Sequence, residues 1–238
     1  MKSVVILQPQ FFPWRGVFEQ MRLAQVYVHF TDVAPPQGRS MLNRVQIKTA
    51  QGSQWLTVPV RKGSAWIQDM RTDETQPWRE KHLRTLEQAY AQAPFSDQML
   101  ELVRTLYANP TDNLCEFNIQ ALETIARFLN LDCDFVRSTD FPPAAGADRL
   151  LQISQALAAS GYITGHGALN YLKREPFEQQ GISVNVMDYR RSPYPQLFGE
   201  FDPHTSILDL IANTGIEAAA FLDSPCTEWK EYERNRNT

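Results

Sequence analysis

The sequence predicts one α/β domain with a mainly parallel, Rossmann-like sheet, and three observations carry that expectation. Short apolar runs at residues 4–7 and 26–30 are each flanked by structure breakers, the pattern of strands buried on both faces. Only about two turns of helix, residues 16–24, fit between them, so the pair makes a compact β-loop-α-β unit whose natural pairing is parallel. Strands and helices alternate again late in the chain, around an all-helical middle, which argues for a single α/β sheet. Residues 1–227 are expected to form this one domain, with a helical insertion at about 78–130, and 228–238 a polar tail that frays.

The first strand ends in the loop Gln8-Pro9-Gln10-Phe11-Phe12-Pro13-Trp14. Its prolines fix the backbone, its aromatics make a wall and its glutamines supply amides. Val45 and Ile47 alternate with Gln46 and Lys48, as in one arm of a half-exposed hairpin, and 55–60 is a further strand candidate stopped by Arg61-Lys62-Gly63. From Trp78 the apolar period becomes helical: Trp78, His82, Leu86 and Tyr90 share one stripe, closed by Pro94. A second helix covers about 97–107. A third begins at the capping signature Asn113-x-x-Glu116 and carries an apolar face wide enough to be largely buried. A strand at 133–136 leads to the proline-bearing connector 139–146. Then come a helix at 147–159, a strand at 162–164, a Gly165-His166-Gly167 turn, a helix at 168–172, a helix ending at 177–180, a strand at 184–187 and a short helix at 206–213.

Composition excludes several classes. Hydrophobic residues are 43% of the 238, enough for a full core and against disorder. No apolar run approaches the roughly 20 residues that span a bilayer, and the opening residues lead straight into a strand rather than a signal peptide, so a cytoplasmic location is expected. The odd, scattered cysteines Cys115, Cys133 and Cys226 fit a reducing compartment and make no zinc pattern. The four histidines lie far apart, which argues against a dedicated metal site. A net charge of −4 disfavours nucleic acid as a partner. That average hides an asymmetry: residues 1–62 carry eight Lys/Arg against two acids, a balance of +6, and the rest −10. A basic patch beside the aromatic loop suits a phosphate-bearing small ligand; a solvated face balanced by acids from elsewhere is the other reading.

Several constellations can carry chemistry, each with a plain structural alternative. Gln8 and Gln10 can bind a ligand's polar edge while Phe11, Phe12 and Trp14 stack on a ring; the alternative is a proline-fixed corner of core aromatics. Asn43, Arg44 and Lys48, with Arg39, can grip an anion, with Asp32, at the end of the second strand, orienting Arg44, binding a metal or acting as base; the alternative is an ordinary charged loop. Gly165 and Gly167 can bare backbone N–H groups to an anion beside His166, an acid or base; a tight turn reads equally well. His82 sits on an apolar helix face, where a histidine is more often a satisfied core residue than a catalyst. Ser206 reads as a helix N-cap with Asp209 its third-position acid. The segment Pro193-Tyr194-Pro195-Gln196 shares the first loop's character, and Tyr194 can line the same cleft.

Taken together, QPQFFPWRGVFEQ (8–20), NRVQIKT (43–49), WLTVPV (55–60), the W-x-x-K-H of Trp78 to His82, Ala93-Pro94-Phe95, GYITGHGALNYL (161–172), PYPQLFGEF (193–201) and SILDLIANTG (206–215) resemble the WbqC-like protein family, in order along nearly the whole chain. That family is associated with bacterial surface-polysaccharide and O-antigen gene clusters, so the resemblance implies a pathway rather than a reaction. Gln8, Asp32, Asn43, Arg44, His82 and Gly165 fall on matching positions. The chain departs from the family where a His usually precedes the first Gln (here Leu7), where paired aspartates close the second strand (here Thr31-Asp32), and where a second Asn-Arg stands (here Val45-Gln46). The expectation is a transferase moving an acyl or aminoacyl group to or from a nucleotide-linked sugar. Aromatics would stack on a ring, Arg44 and Lys48 hold the diphosphate, and His82 or His166 move the proton. Cofactors are left open. The alternative is a non-catalytic nucleotide-sugar-binding or scaffold protein of the same pathway.

Overall fold

The computed structural model describes residues 2–38, 40–144 and 146–236, so Arg39 lies outside the described residues. In chain order the elements are β1 (Ser3–Leu7), α1 (Arg15–Leu23), β2 (Val26–His29), β3 (Arg44–Thr49), β4 (Gly52–Thr57), α2 (Trp78–Ala89), α3 (Ser96–Tyr107), α4 (Leu114–Phe128), β5 (Asp134–Arg137), α5 (Gly146–Ala156), β6 (Gly161–Thr164), α6 (Glu175–Gln179), β7 (Ser183–Met187), α7 (Ile207–Thr214), β8 (Cys226–Glu228) and α8 (Trp229–Arg236).

Six strands form one sheet in the order β5-β2-β1-β6-β7-β8. The first five are mutually parallel and β8 joins β7 antiparallel. The mainly parallel sheet is as the apolar runs predict, because side chains alternate between two covered faces. On one face Val4 and Ile6 of β1 pack with Leu150 and Ile153 of α5, Phe177 of α6 and Trp229 of α8. On the other, Val5 joins Tyr27, Ile163 and the apolar sides of α1, α4 and α7.

Three local expectations need correction. The strand expected at 55–60 runs instead over Gly52–Thr57, and the single sheet expected is joined by a second, small one: β4 pairs only with β3, as an antiparallel hairpin in which Gln46 faces Trp55. The burial of β4 explains this, since only Leu56 is buried and such a strand does not suit a sheet covered on both sides. The helix expected at 168–172 is a 3₁₀ turn over His166–Asn170. The tail does not simply fray: β8 adds an edge to the sheet, and α8 docks through Trp229, which is buried. Tyr232, on the same helix, packs against the same apolar cluster. Among the described residues no helix is long and apolar enough to cross a membrane.

The topology creates a crevice. From β1 the chain passes through α1 on one face and builds outward to β2 and β5. On the other side of β1 lies β6, which leads through α6 on the opposite face to β7. Connections that leave neighbouring parallel strands for opposite faces open a gap at their carboxyl ends, where ligands bind in such sheets. Gln8 follows one of these strands and Gly165 the other.

Candidate functional site

The loop after β1 is held by bonds from distant elements. Asn118 of α4 donates its amide to the carbonyls of Pro9 (3.0 Å) and Leu42 (2.8 Å). The Ser206 hydroxyl donates to the Phe12 carbonyl at 2.8 Å and accepts from the Leu208 N–H at 3.2 Å, so the predicted N-cap of α7 also pins the loop. The Ile207 N–H bonds the Pro13 carbonyl at 2.8 Å. Phe12 takes a left-handed backbone (φ 40°). Gly16 is needed because a Cβ there would stand 2.3 Å from the Trp14 ring.

Held this way, the loop divides two cavities. The first, about 430 Å³, is lined by Ile6, Leu7, Gln8, Gln10, Phe30, Val33, Gly146, Leu150 and Tyr171. The second, about 320 Å³, is lined by Gln10, Phe11, Pro13, Trp14, Met41, Arg44, Val45, Gln46, Trp55 and His204. Gln10 belongs to both. The Arg44 guanidinium lies 3.8 Å from the Trp55 ring centre, and its buried Nε has no hydrogen-bond partner among the described residues. His204 stacks near Trp14 (5.8 Å between rings), with its Nδ1 3.9 Å from an Asp202 carboxylate oxygen.

Several expected site residues are not brought here. Phe11 and Phe12 are fully buried; Phe12 packs with Phe11, Tyr107 and Phe117 and lines neither cavity. Lys48 is turned inward, where its ammonium donates to Gln196 Oε1 at 2.9 Å and to the Glu200 carbonyl. Tyr194 is buried and donates to Asp209 at 2.7 Å. Asp209 also receives Tyr90 at 2.9 Å and Gln196 at 2.8 Å, and burial pushes its carboxyl above the usual range. This carboxylate ties α7 to α2 and to the 194–196 segment, well beyond the helix-start role the sequence suggests. Arg15 is also buried, donating to the Ser192 carbonyl at 2.7 Å. The basic balance of residues 1–62 is therefore partly consumed inside the fold.

Asp32 sits at the carboxyl edge, as expected, but does not orient Arg44. Its carboxylate receives Arg149, which is 2% exposed, at 2.7 Å, and also the Ser138 hydroxyl. Asn43 closes the hairpin by donating to the Val58 carbonyl at 2.9 Å. His82 lies behind Phe11 (5.8 Å between rings), away from the cavity that Gln8 lines. Its Nε2–H donates to the Thr57 carbonyl at 3.2 Å, which leaves Nδ1 to accept from the Tyr107 hydroxyl at 3.0 Å. Burial drops its pKa to about 4, so the ring is neutral at pH 7. His166 is exposed between Tyr189 and Tyr232 and lines neither cavity. Gly165 has a packing reason: a Cβ there would meet the Tyr189 hydroxyl at 3.0 Å. Gly167 faces open space.

Sequence reasoning missed Trp55, His204 and Val33 as cavity walls. Trp55 stood in the sequence only as the first residue of a strand candidate, and the structure sets it across the hairpin from Gln46; His204 carried no local signal.

The sequence matches the model of the WbqC-like protein family over residues 8–221. The chain belongs to the WbqC-like protein family. This WbqC-like chain is also 33% identical over 227 residues to a Mycobacterium tuberculosis (strain ATCC 25618 / H37Rv) protein named "Uncharacterized protein Rv1507c", covering 93% of this chain and 98% of that one. No solved structure matches it. Of the three positions where the sequence reading expected departures, Leu7 lines the first cavity, Gln46 the second, and Thr31 is buried with its N–H on Ser138.

Proposed function

We propose that this WbqC-like chain binds a nucleotide-linked sugar in the cavity beside Arg44 and takes part in acyl or aminoacyl transfer during assembly of a bacterial surface polysaccharide such as O-antigen, in the cytoplasm. The observation that carries this reading is Arg44, a cation stacked on Trp55 with no carboxylate among the residues lining its cavity. Such a guanidinium favours a phosphate with charge-assisted bonds. Trp14 and Trp55 offer faces for a base or sugar ring, and Gln10 an amide for its polar edge. The crevice between β1 and β6 supports the Rossmann-like interpretation of the sheet. In this reading His204 moves the proton, since it lines the cavity and Asp202 stands beside it.

The experiment is calorimetric titration with a panel of uridine- and thymidine-diphosphate sugars. Arg44→Ala should weaken the best binder by roughly 1.5–3 kcal/mol, tenfold or more, with little change in melting temperature. Unchanged affinity for every phosphate-bearing ligand that binds the parent overturns the reading.

A second reading, a non-catalytic binder, is favoured by the engagement of His82 and Asp32 in internal bonds. It expects a ligand at a hundredfold excess over its Kd to stabilise the fold by about 2.7 kcal/mol, with no product formed from any nucleotide sugar and acyl donor offered together.

A further inference from the structure

The cavity under Gln8 differs in chemistry from the one beside Arg44. Ile6, Leu7, Phe30, Val33 and Leu150 make its walls apolar, and among the described residues no carboxylate, ammonium, guanidinium or imidazole lines it. A phosphate or carboxylate drawn against such walls would lose part of its hydration with no counter-charge among them, which disfavours it against a neutral group. The polar groups available are the amides of Gln8 and Gln10 and the phenol of Tyr171. Neither glutamine side chain hydrogen-bonds to any described residue, although both are half-buried. Their amides open into the cavity from a proline-fixed loop, so a ligand entering it can take the place of water on their donors and acceptors. Each amide donates from its NH2 and accepts at its carbonyl, which suits a neutral carbonyl-bearing group.

We propose that this cavity is a separate subsite for an uncharged acyl group: its chain would lie along Ile6, Val33 and Leu150, and its carbonyl would receive the amides of Gln8 and Gln10. The two cavities then hold two ligands side by side, with the Gln10 side chain as their common wall. The neighbour's role as the phosphate-binding half rests on the function proposed above; the chemistry of the Gln8 cavity does not.

Hexanamide, hexanoate and UDP are suitable probes, followed by the side-chain amide and indole signals of 15N-labelled protein. Hexanamide should shift the Gln8 and Gln10 amides saturably. Hexanoate, of the same shape but charged, should bind at least about tenfold more weakly. Saturating UDP should shift the Trp14 and Trp55 indoles and change hexanamide affinity less than about twofold, as expected of distinct sites. Val33→Phe, which fills the cavity, should weaken hexanamide by about tenfold or more. Tyr171→Ala, at a side chain that is 64% exposed, repeats the test without risk to the core. Competition between UDP and hexanamide overturns the proposal, because one ligand would then span both cavities. So does hexanoate binding as tightly as hexanamide, an absence of hexanamide binding, or indifference of its affinity to both variants. If UDP fails to bind while hexanamide behaves as stated, the phosphate reading falls and the acyl subsite stands.

Discussion

Replacing His82 by glutamine should flatten the acid side of the stability profile while leaving the cleft intact. The parent imidazole is 5% exposed and neutral, donating to the Thr57 carbonyl and accepting from the Tyr107 hydroxyl. Its pKa falls from 6.5 to about 4 on folding, chiefly through desolvation. A depressed folded value means the unfolded chain takes up the proton first. The stabilisation is therefore fully present above about pH 6.5 and lost progressively down to about pH 4. At about 1.4 kcal/mol per unit, the difference is on the order of 3 kcal/mol. Glutamine can donate to Thr57 and accept from Tyr107 without titrating, so the variant should lose little stability at pH 7 and be the more stable protein, relative to its own neutral value, near pH 4.5. Urea denaturation of both proteins at those two pH values reads this directly. An unchanged pH slope would refute the tautomer and burial argument. A stable His82→Gln protein that still binds nucleotide sugar but no longer turns it over would return His82 to the mechanism.

Asp32→Asn should destabilise the fold by roughly 2–3 kcal/mol, because Arg149 is left buried without its carboxylate, and should leave ligand affinity within about twofold; lost binding in a protein of unchanged melting temperature would place Asp32 in the site instead. Ser206→Ala should cost roughly 1–2 kcal/mol, since one hydroxyl serves both the α7 cap and the Phe12 carbonyl, and an unchanged urea midpoint would contradict that double role. Trp229→Ala should cost roughly 3–5 kcal/mol despite lying near the chain end, and a melting temperature equal to the parent's would mean that α8 does not dock.

The mainly parallel sheet was legible because period, length and flanking breakers agree in β1, β2, β6 and β7. The α4 cap was legible as well: the Asn113 side chain accepts from the Glu116 N–H at 3.1 Å. The other half of that capping signature did something else, since the Glu116 carboxylate pairs with Arg137 on β5. Local pattern cannot register a competing partner 21 residues away. The same limit explains Lys48 and Tyr194. A lysine in an alternating strand reads as solvent-facing, yet here the hairpin is capped by the 194–202 segment, which supplies Gln196 and the Glu200 carbonyl. The edge position of Asp32 was legible from strand pairing, whereas Arg149, its partner, is 117 residues away. Among the expected site residues, Gln8, Gln10, Trp14 and Arg44 line the two cavities beside the β1 loop because they lie on that loop and on the hairpin, the two features with a clear local signature, whereas His82 lines a separate cavity of about 270 Å³ with Trp78 and Lys81.

The division of labour within the β1 loop follows from its alternation. Pro9, Phe11, Phe12 and Pro13 are buried, while Gln8, Gln10 and Trp14 are only half-buried and line the cavities. The inward residues meet the aromatic cluster of Trp78, His82, Tyr107 and Phe117, which belongs to α2, α3 and α4. The helical insertion thus acts as the anvil for the loop, and Asn118 and Ser206 clamp it from two sides. Support of this kind holds the backbone that carries Gln8 and Gln10, so both side chains project from fixed points into the cavities. His82 then has a use without touching a ligand. Its ring braces Phe11 from behind, and the bond to Thr57 locks α2 to the end of β4, the strand that carries Trp55. One buried imidazole thereby supports both walls of the Arg44 cavity.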